Sequence, residues 1–277
     1  MRALDPEVLD AMWAAAEPLL PAGGGDHPLG CHRPRIPDRL CFEGIVIRLV
    51  TGCSQVTVER LLGNKVSDTT LRARRDEWIE AGVFDALVAE ALGAYDRIVG
   101  LDLSDTAVDG SIHKAPCGGD GTGKSPVDRA KLGWKWSLLC DRSGIPVSWA
   151  IDGANRNDVA LFEPTVAAAG ALAAEVETLH LDRGYDCGPV NGAAAAHGID
   201  DIVCARKRKR GAAASKTTAP LGMRWAIERT NSWLSNFGQL RRNTDRKPRH
   251  RLAQLALAIA LILTVKLIKW RDRWSPT

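Results

Sequence analysis

After Gly100 three extended segments follow one another, and strands and helices alternate from there on. Thr106–Ile112 is the first, an apolar stretch interrupted by Asp109. Trp134–Cys140 and Ile145–Ile151 are joined by Asp141-Arg142-Ser143-Gly144, a four-residue hairpin turn that pairs them antiparallel. Asp158–Leu172 reads as mostly helical, with Pro164 interrupting or restarting it. Glu177–Asp182 is a fourth strand, Val190–His197 a helix and Asp201–Ala205 a fifth strand. A helix runs from about Leu221 to Phe237, and a long apolar helix from Leu252 to Trp270.

A three-strand meander followed by strand–helix alternation is the strand order of a ribonuclease-H-like α/β domain. The expected organisation is a helical region over 1–99 and an α/β catalytic domain over 100–277. With 277 residues, 45% hydrophobic and 25% charged, the chain suits one large domain, or a catalytic domain with a smaller companion. No secretory signal is expected, because the first twenty residues carry Asp5, Glu7, Asp10 and Glu17 and lack a basic start. The longest apolar run, Leu255–Val265, is eleven residues, which predicts a core helix and no membrane partner. Seven cysteines, scattered and never spaced as CxxC, predict neither disulfides nor a zinc site, and so a reducing cytoplasm.

Charge is distributed unevenly. From Cys204 to Arg251 there are fourteen Lys and Arg against two acids, a net +12 in a chain whose total is +4, so the remainder carries −8. Such a local excess suits a polyanion, since each neutralised phosphate releases counterions. Its densest part is Arg206-Lys207-Arg208-Lys209-Arg210, a DNA-backbone contact or else a solvated basic loop. Near the N-terminus, residues 1–20 have apolar positions at helical spacing, followed by the breaker-rich Pro21–Pro37. Two helices are expected around Gly63-Asn64, the second capped by Ser67 or Asp68 and covering Thr70–Ala81. They form either a helix-turn-helix that carries Arg72, Arg74 and Arg75 to DNA, or a plain helical hairpin with a basic face.

Gly118–Ser125 matches the phosphate-loop pattern GxxxxGK[ST], but Pro126 follows at once and the next strand starts near Trp134. A crossover helix with its loops needs at least ~10–12 residues, so a flexible glycine loop is expected and no nucleotide partner. The carboxylates are more telling. Asp109 lies within a strand, where a charge is costly unless it is paired or binds metal. Asp182 ends the fourth strand, which in this fold runs parallel beside the first. Glu228 stands alone among cations on the later helix. Two strands and a helix delivering three carboxylates suit hard divalent cations, and two such ions about 3.5–4 Å apart serve phosphoryl transfer.

Five segments carry a specific resemblance: Val108-Asp109-Gly110-Ser111, Lys131–Lys135 before the hairpin, Gly153–Asp158, Leu181–Asp186, and Arg224-x-x-x-Glu228-Arg229-Thr230. They resemble the acidic-triad (DDE) transposases of bacterial insertion sequences, most closely the insertion-sequence-five type. The resemblance implies a metal-binding catalytic triad of Asp109, Asp182 and Glu228, with Arg224 as the arginine four before the glutamate. Related families add a Tyr three before that Arg and a Lys seven after the Glu; here Leu221 and Ser235 stand there, and Arg229, Arg241 or Arg242 takes over phosphate contact. It further implies two Mg²⁺ (or Mn²⁺) ions, water as nucleophile in cleaving element ends, and attack of the freed 3′-OH on target DNA. The implied partners are double-stranded DNA, as terminal inverted repeats and target, and a second copy in a homodimer on DNA, in the bacterial cytoplasm at the nucleoid. The competing function is a catalytically inactive, domesticated transposase that binds DNA as a regulator. Tyr185 is then a packing or phosphate-contact residue rather than a nucleophile, and His113 and His180 are solvated or core histidines rather than bases. Trp225 and Trp233 pack in the core or stack on bases.

Overall fold

Proline and serine place the first helices. In the computed structural model, which describes residues 2–22, 34–204 and 224–274, α1 (Pro6–Ala16) starts on a proline whose missing N–H costs nothing in a first turn. The end of α2 (Asp38–Thr51) is Gly52 at φ +73°, whose N–H closes on the Arg48 carbonyl at 2.8 Å. Only glycine serves there, since a Cβ would also come within 2.7 Å of the Gly238 carbonyl carbon. The helices α3 (Gln55–Leu61) and α4 (Asp68–Glu80) are capped by Ser54 and Ser67, whose hydroxyls accept from the N–H of Thr57 at 3.1 Å and of Thr70 at 3.2 Å. Gly63 and Asn64, both left-handed, make the tight turn between them. A fifth helix, α5 (Val83–Ile98), completes the N-terminal region. Phe42 and Trp78, and Trp78 and Phe84, meet ring to ring with centroids 6.5 Å apart, in a core shared with Met12, Leu49 and Leu87.

This packing corrects part of the DNA-contact expectation. Arg72 is exposed and pairs with Asp68 at 3.2 Å. Arg74 and Arg75 are buried to 6% and 7% exposure, the first ion-paired with Asp38 and Glu77, the second with Asp76. A guanidinium inside a helical core needs carboxylates around it, and with those engaged neither side chain is offered to a phosphate.

The sheet begins with β1 (Asp105–Lys114), the two-residue β2 (Gly123–Lys124), β3 (Leu132–Cys140) and β4 (Pro146–Gly153). The first meander strand pairs antiparallel with β3, and β3 with β4, across the predicted turn, where Asp141 Oδ1 accepts the N–H of Ile145 at 2.7 Å. Next come α6 (Asp158–Ala167), β5 (Thr178–Leu181), α7 (Gly188–Ala196) and β6 (Asp201–Cys204). Parallel pairing joins β5 to β1 and β6 to β5, so the order is β2-β3-β1-β5-β6 with β4 also on β3. This is the mixed sheet of a ribonuclease-H-like fold. One face carries the core of Val108, Leu139, Phe162, Val166, Leu179 and Val190 under α6 and α7. Pro164 lies inside α6; the helix stops at Ala167, and a 3-10 turn (Gly170–Glu175) begins on left-handed Gly170 where the sequence predicts helix to Leu172. The glycine loop ends as β2 against Leu132 and Gly133, with no helix after Lys124, so the phosphate-loop geometry does not form.

Among the described residues three helices remain: α8 (Arg224–Ser235), α9 (Gly238–Arg241) and α10 (Pro248–Trp274). Residues 100–234 and 244–248 form one compact unit; the other gathers 1–99 with 235–243 and 249 onward, some of which the sequence reading places in the catalytic region. By length and composition α10 could cross a membrane, yet Leu255–Leu261 are each at most 1% exposed inside the helical unit.

His113 is a core histidine. It stacks on Trp136 with centroids 3.6 Å apart, and burial pushes its imidazole down to about 3. The unfolded chain, with an ordinary value of about 6.5, takes up a proton that the folded chain refuses. Stability is therefore lost as pH falls below about 6.5, by up to ~1.4 kcal/mol per pH unit, and levels off near pH 3. His113→Phe is expected to flatten that slope in urea titrations between pH 4 and 6.5; an unaltered slope would show that other groups dominate acid unfolding.

Candidate active site

Parallel pairing of β1 and β5 sets the two strand carboxylates side by side. Ala107 lies opposite His180; two residues on come Asp109 within β1 and Asp182 just past the end of β5. Because side chains alternate across a strand, Asp109 points away from the Val108 face that α6 and α7 cover. It faces α8 instead, where the amide of Asn231 donates to its Oδ2 at 3.3 Å. Burial pushes the Asp109 carboxyl up to about 6; the N–H of Gly110 and the Arg224 guanidinium oppose the rise, and the charges of Asp182 and Asp158 add to it. Asp182 accepts the N–H of Gly184 at 2.6 Å and caps a 3-10 turn (Arg183–Tyr185).

Glu228 rides on α8, the helix that Asn231 ties to β1, but its side chain is 55% exposed and pairs with Arg224 at 3.5 Å. Among the described residues no three His, Cys, Asp or Glu side chains lie close enough together to hold an ion. The fold thus brings Asp109 and Asp182 together and leaves Glu228 outside that pair, half-exposed against Arg224. The donor set still fits a hard cation: burial first, and the charges of Asp182 and Asp158 after it, raise the cost of ionising Asp109, and a divalent ion would offset both.

Behind β1 stands a pair that the sequence reading missed as a unit. Lys135 is 3% exposed at its side chain; its Nζ lies 2.7 Å from Asp158 Oδ1 and 2.9 Å from the Arg156 carbonyl. A Cβ at Gly110 would collide with that same carboxylate oxygen. A lysine between two tryptophans of an apolar strand was the available signal, because a buried ammonium needs a partner. Tyr185 is 2% exposed in the α6/α7 core, the packing alternative of the two roles expected of it. His180 is also mostly buried, bonded to Asp105 at 2.7 Å.

The basic residues divide. Arg229 lies between Trp225 and Trp233, 4.5 and 4.7 Å from the ring centroids, and donates to the Ser143 carbonyl at 2.6 Å. Trp225 is 51% exposed. Arg241 and Arg242 are exposed, and Arg224 is half-buried beside Glu228. Arg206, Lys207, Arg208, Lys209 and Arg210 lie outside the described residues.

Comparison with known proteins identifies the family. A family model described as a putative transposase of the IS4/5 family matches residues 8–88, and a transposase DDE domain model matches residues 100–263. A putative transposase for insertion sequence element IS402 of Burkholderia cepacia is 32% identical over 148 residues, covering 51% of this chain and 67% of that protein. An uncharacterized 16.2 kDa protein of insertion element IS402, from the same organism, is 31% identical over 121 residues, covering 44% and 82%. Mos1 transposase in a paired-end complex with the left transposon end aligns over 89% of this chain and 82% of its own at 10% identity and a TM-score of 0.26, too distant to bear on the fold. With a DDE domain spanning well over half of its length, the chain belongs to the DDE transposases of insertion sequences, a family that cleaves and rejoins DNA in a metal-dependent reaction.

Proposed function

We propose that the chain cuts the ends of its own insertion sequence and joins them to target DNA, with Asp109, Asp182 and Glu228 as metal ligands. The observation that carries this is the placement of Asp109 beside Asp182 on parallel strands, under the helix that bears Glu228. Two Mg²⁺ or Mn²⁺ ions bound there supply activation of the attacking oxygen and stabilisation of the leaving one. The chain's own groups do the rest. Asp109 and Asp182 are held by the sheet, and the sheet's rigidity fixes where a phosphate must come. Arg224 exchanges Glu228 for a DNA phosphate and so frees that carboxylate for the site. Arg229, Arg241, Arg242 and Arg72 add backbone contacts. Residues 1–99 serve as the DNA-binding region and 100–277 as the catalytic region, acting as a homodimer on terminal inverted repeats, in the cytoplasm at the nucleoid. Cleavage of DNA carrying the element ends, measured with and without Mg²⁺, tests the proposal; binding without cleavage in every divalent metal would overturn it.

The run 206–210 is proposed as the main phosphate-binding segment, from its charge. Replacing all five cations by glutamine should weaken binding to unrelated DNA sequences alike. The slope of log affinity against log salt should fall by roughly 0.9 for each phosphate that is no longer neutralised. An unchanged slope would return the run to bulk solvent.

A further inference from the structure

Three residues beyond Glu228 on α8, Asn231 faces the sheet between Trp136 and Asp109. The fully buried Trp136 donates its indole N–H to Asn231 Oδ1 at 2.8 Å. An indole nitrogen only donates, so the amide must keep its oxygen toward the tryptophan. Its Nδ2 then points at Asp109, meeting Oδ2 at 3.3 Å. Trp136 is itself held by the stack on His113 at 3.6 Å and by an edge contact with Trp134 at 5.3 Å. A rigid ring orients an amide, and the amide orients a carboxylate. Asparagine suits this place because it offers a neutral donor to an anion and adds no third charge beside Asp109 and Asp182.

We infer that Asn231 is a positioning residue for Asp109, its amide set by the Trp136 N–H, and that the same bonds tether α8, and with it Glu228, to β1. The inference rests on Asp109 being a metal ligand. A carboxylate held on one oxygen loses rotational freedom, and partners of this kind are worth 10–100-fold in metal affinity or activity.

The test uses the full-length chain as Asn231→Leu, Trp136→Phe, the double variant and Asp109→Asn. Binding of Mn²⁺ alone is measured by calorimetry, cleavage of end DNA by gel, and folding by thermal melting. Asn231→Leu is expected to weaken Mn²⁺ binding and slow cleavage by about 10–100-fold while gel shifts on end DNA stay unchanged. Trp136→Phe keeps a stacking ring but frees the amide, so a smaller loss is expected, and the double variant should be no worse than Asn231→Leu. If both single variants bind Mn²⁺ and cut within about threefold of wild type while Asp109→Asn is inactive, Asn231 has no positioning role. Losses that multiply in the double variant would also overturn it, because a shared chain of bonds is broken only once. If Asn231→Leu fails to fold, the folded Trp136→Phe decides by the same two readouts. Wild-type cutting by Asp109→Asn would instead remove the triad reading, and the inference with it.

Discussion

Asp109→Asn is expected to abolish both DNA cleavage and strand transfer while leaving DNA binding in place. The amide keeps the shape of the side chain and its seat between β3 and β5 but removes the negative charge. Misplacing a reacting group by about an ångström costs ~10²-fold, and weaker charge stabilisation adds to that, so the combined loss exceeds about 10³-fold. Binding persists because the groups proposed for it lie on α4, on α8 and in the basic stretch. Asp109→Asn also relieves repulsion among Asp109, Asp182 and Asp158, so the metal-free variant should melt no lower than wild type. A paired gel-shift and cleavage assay on end DNA decides it. Cutting at the wild-type rate would remove Asp109 from the chemistry; failure of binding and cutting together would point to a structural role.

The largest expected effect on stability comes from the other side of the same strand. Asp158→Ala leaves Lys135, 3% exposed, with only the Arg156 carbonyl for its ammonium. Breaking a fully buried pair costs ~3–5 kcal/mol; Asp158 is 45% exposed, so about 2–3 kcal/mol is expected here. Lys135→Met should cost less, because the stranded carboxylate can be hydrated where the stranded ammonium cannot. The double variant should recover much of the loss. Urea unfolding at pH 7 measures all three, and equal costs for the two single changes would contradict this account. Since the Asp158 carboxylate sits against Gly110, next to Asp109, the loss of the pair is also expected to slow cleavage.

Strands, hairpin and caps were legible because they depend on neighbours in the chain. The meander and the alternation that follows appear at the predicted places to within two residues at most strand ends, and Ser67 caps α4 as a serine before a helix should. The parallel placement of Asp109 and Asp182 follows from that strand order alone. Arg74 and Arg75 were not legible as ion-paired core residues. Charge counts them as basic surface, and only the packing of α4 against Asp38, and the reach of Asp76, puts them inside.

Asn231 is the sharper case. By itself it is one polar residue on an amphipathic helix, three positions past a glutamate and otherwise unmarked. Its partners lie 95 and 122 residues away along the chain, on β3 and β1. Local spacing decides which residues share a helix face, and the sequence alone determined the strand order and the two strand aspartates. Which side chain that face meets is decided when distant segments pack, because an amide's orientation is set by the donor and acceptor it finds there. The tertiary structure alone therefore decided the link from Trp136 through Asn231 to Asp109, and left Glu228 paired with Arg224.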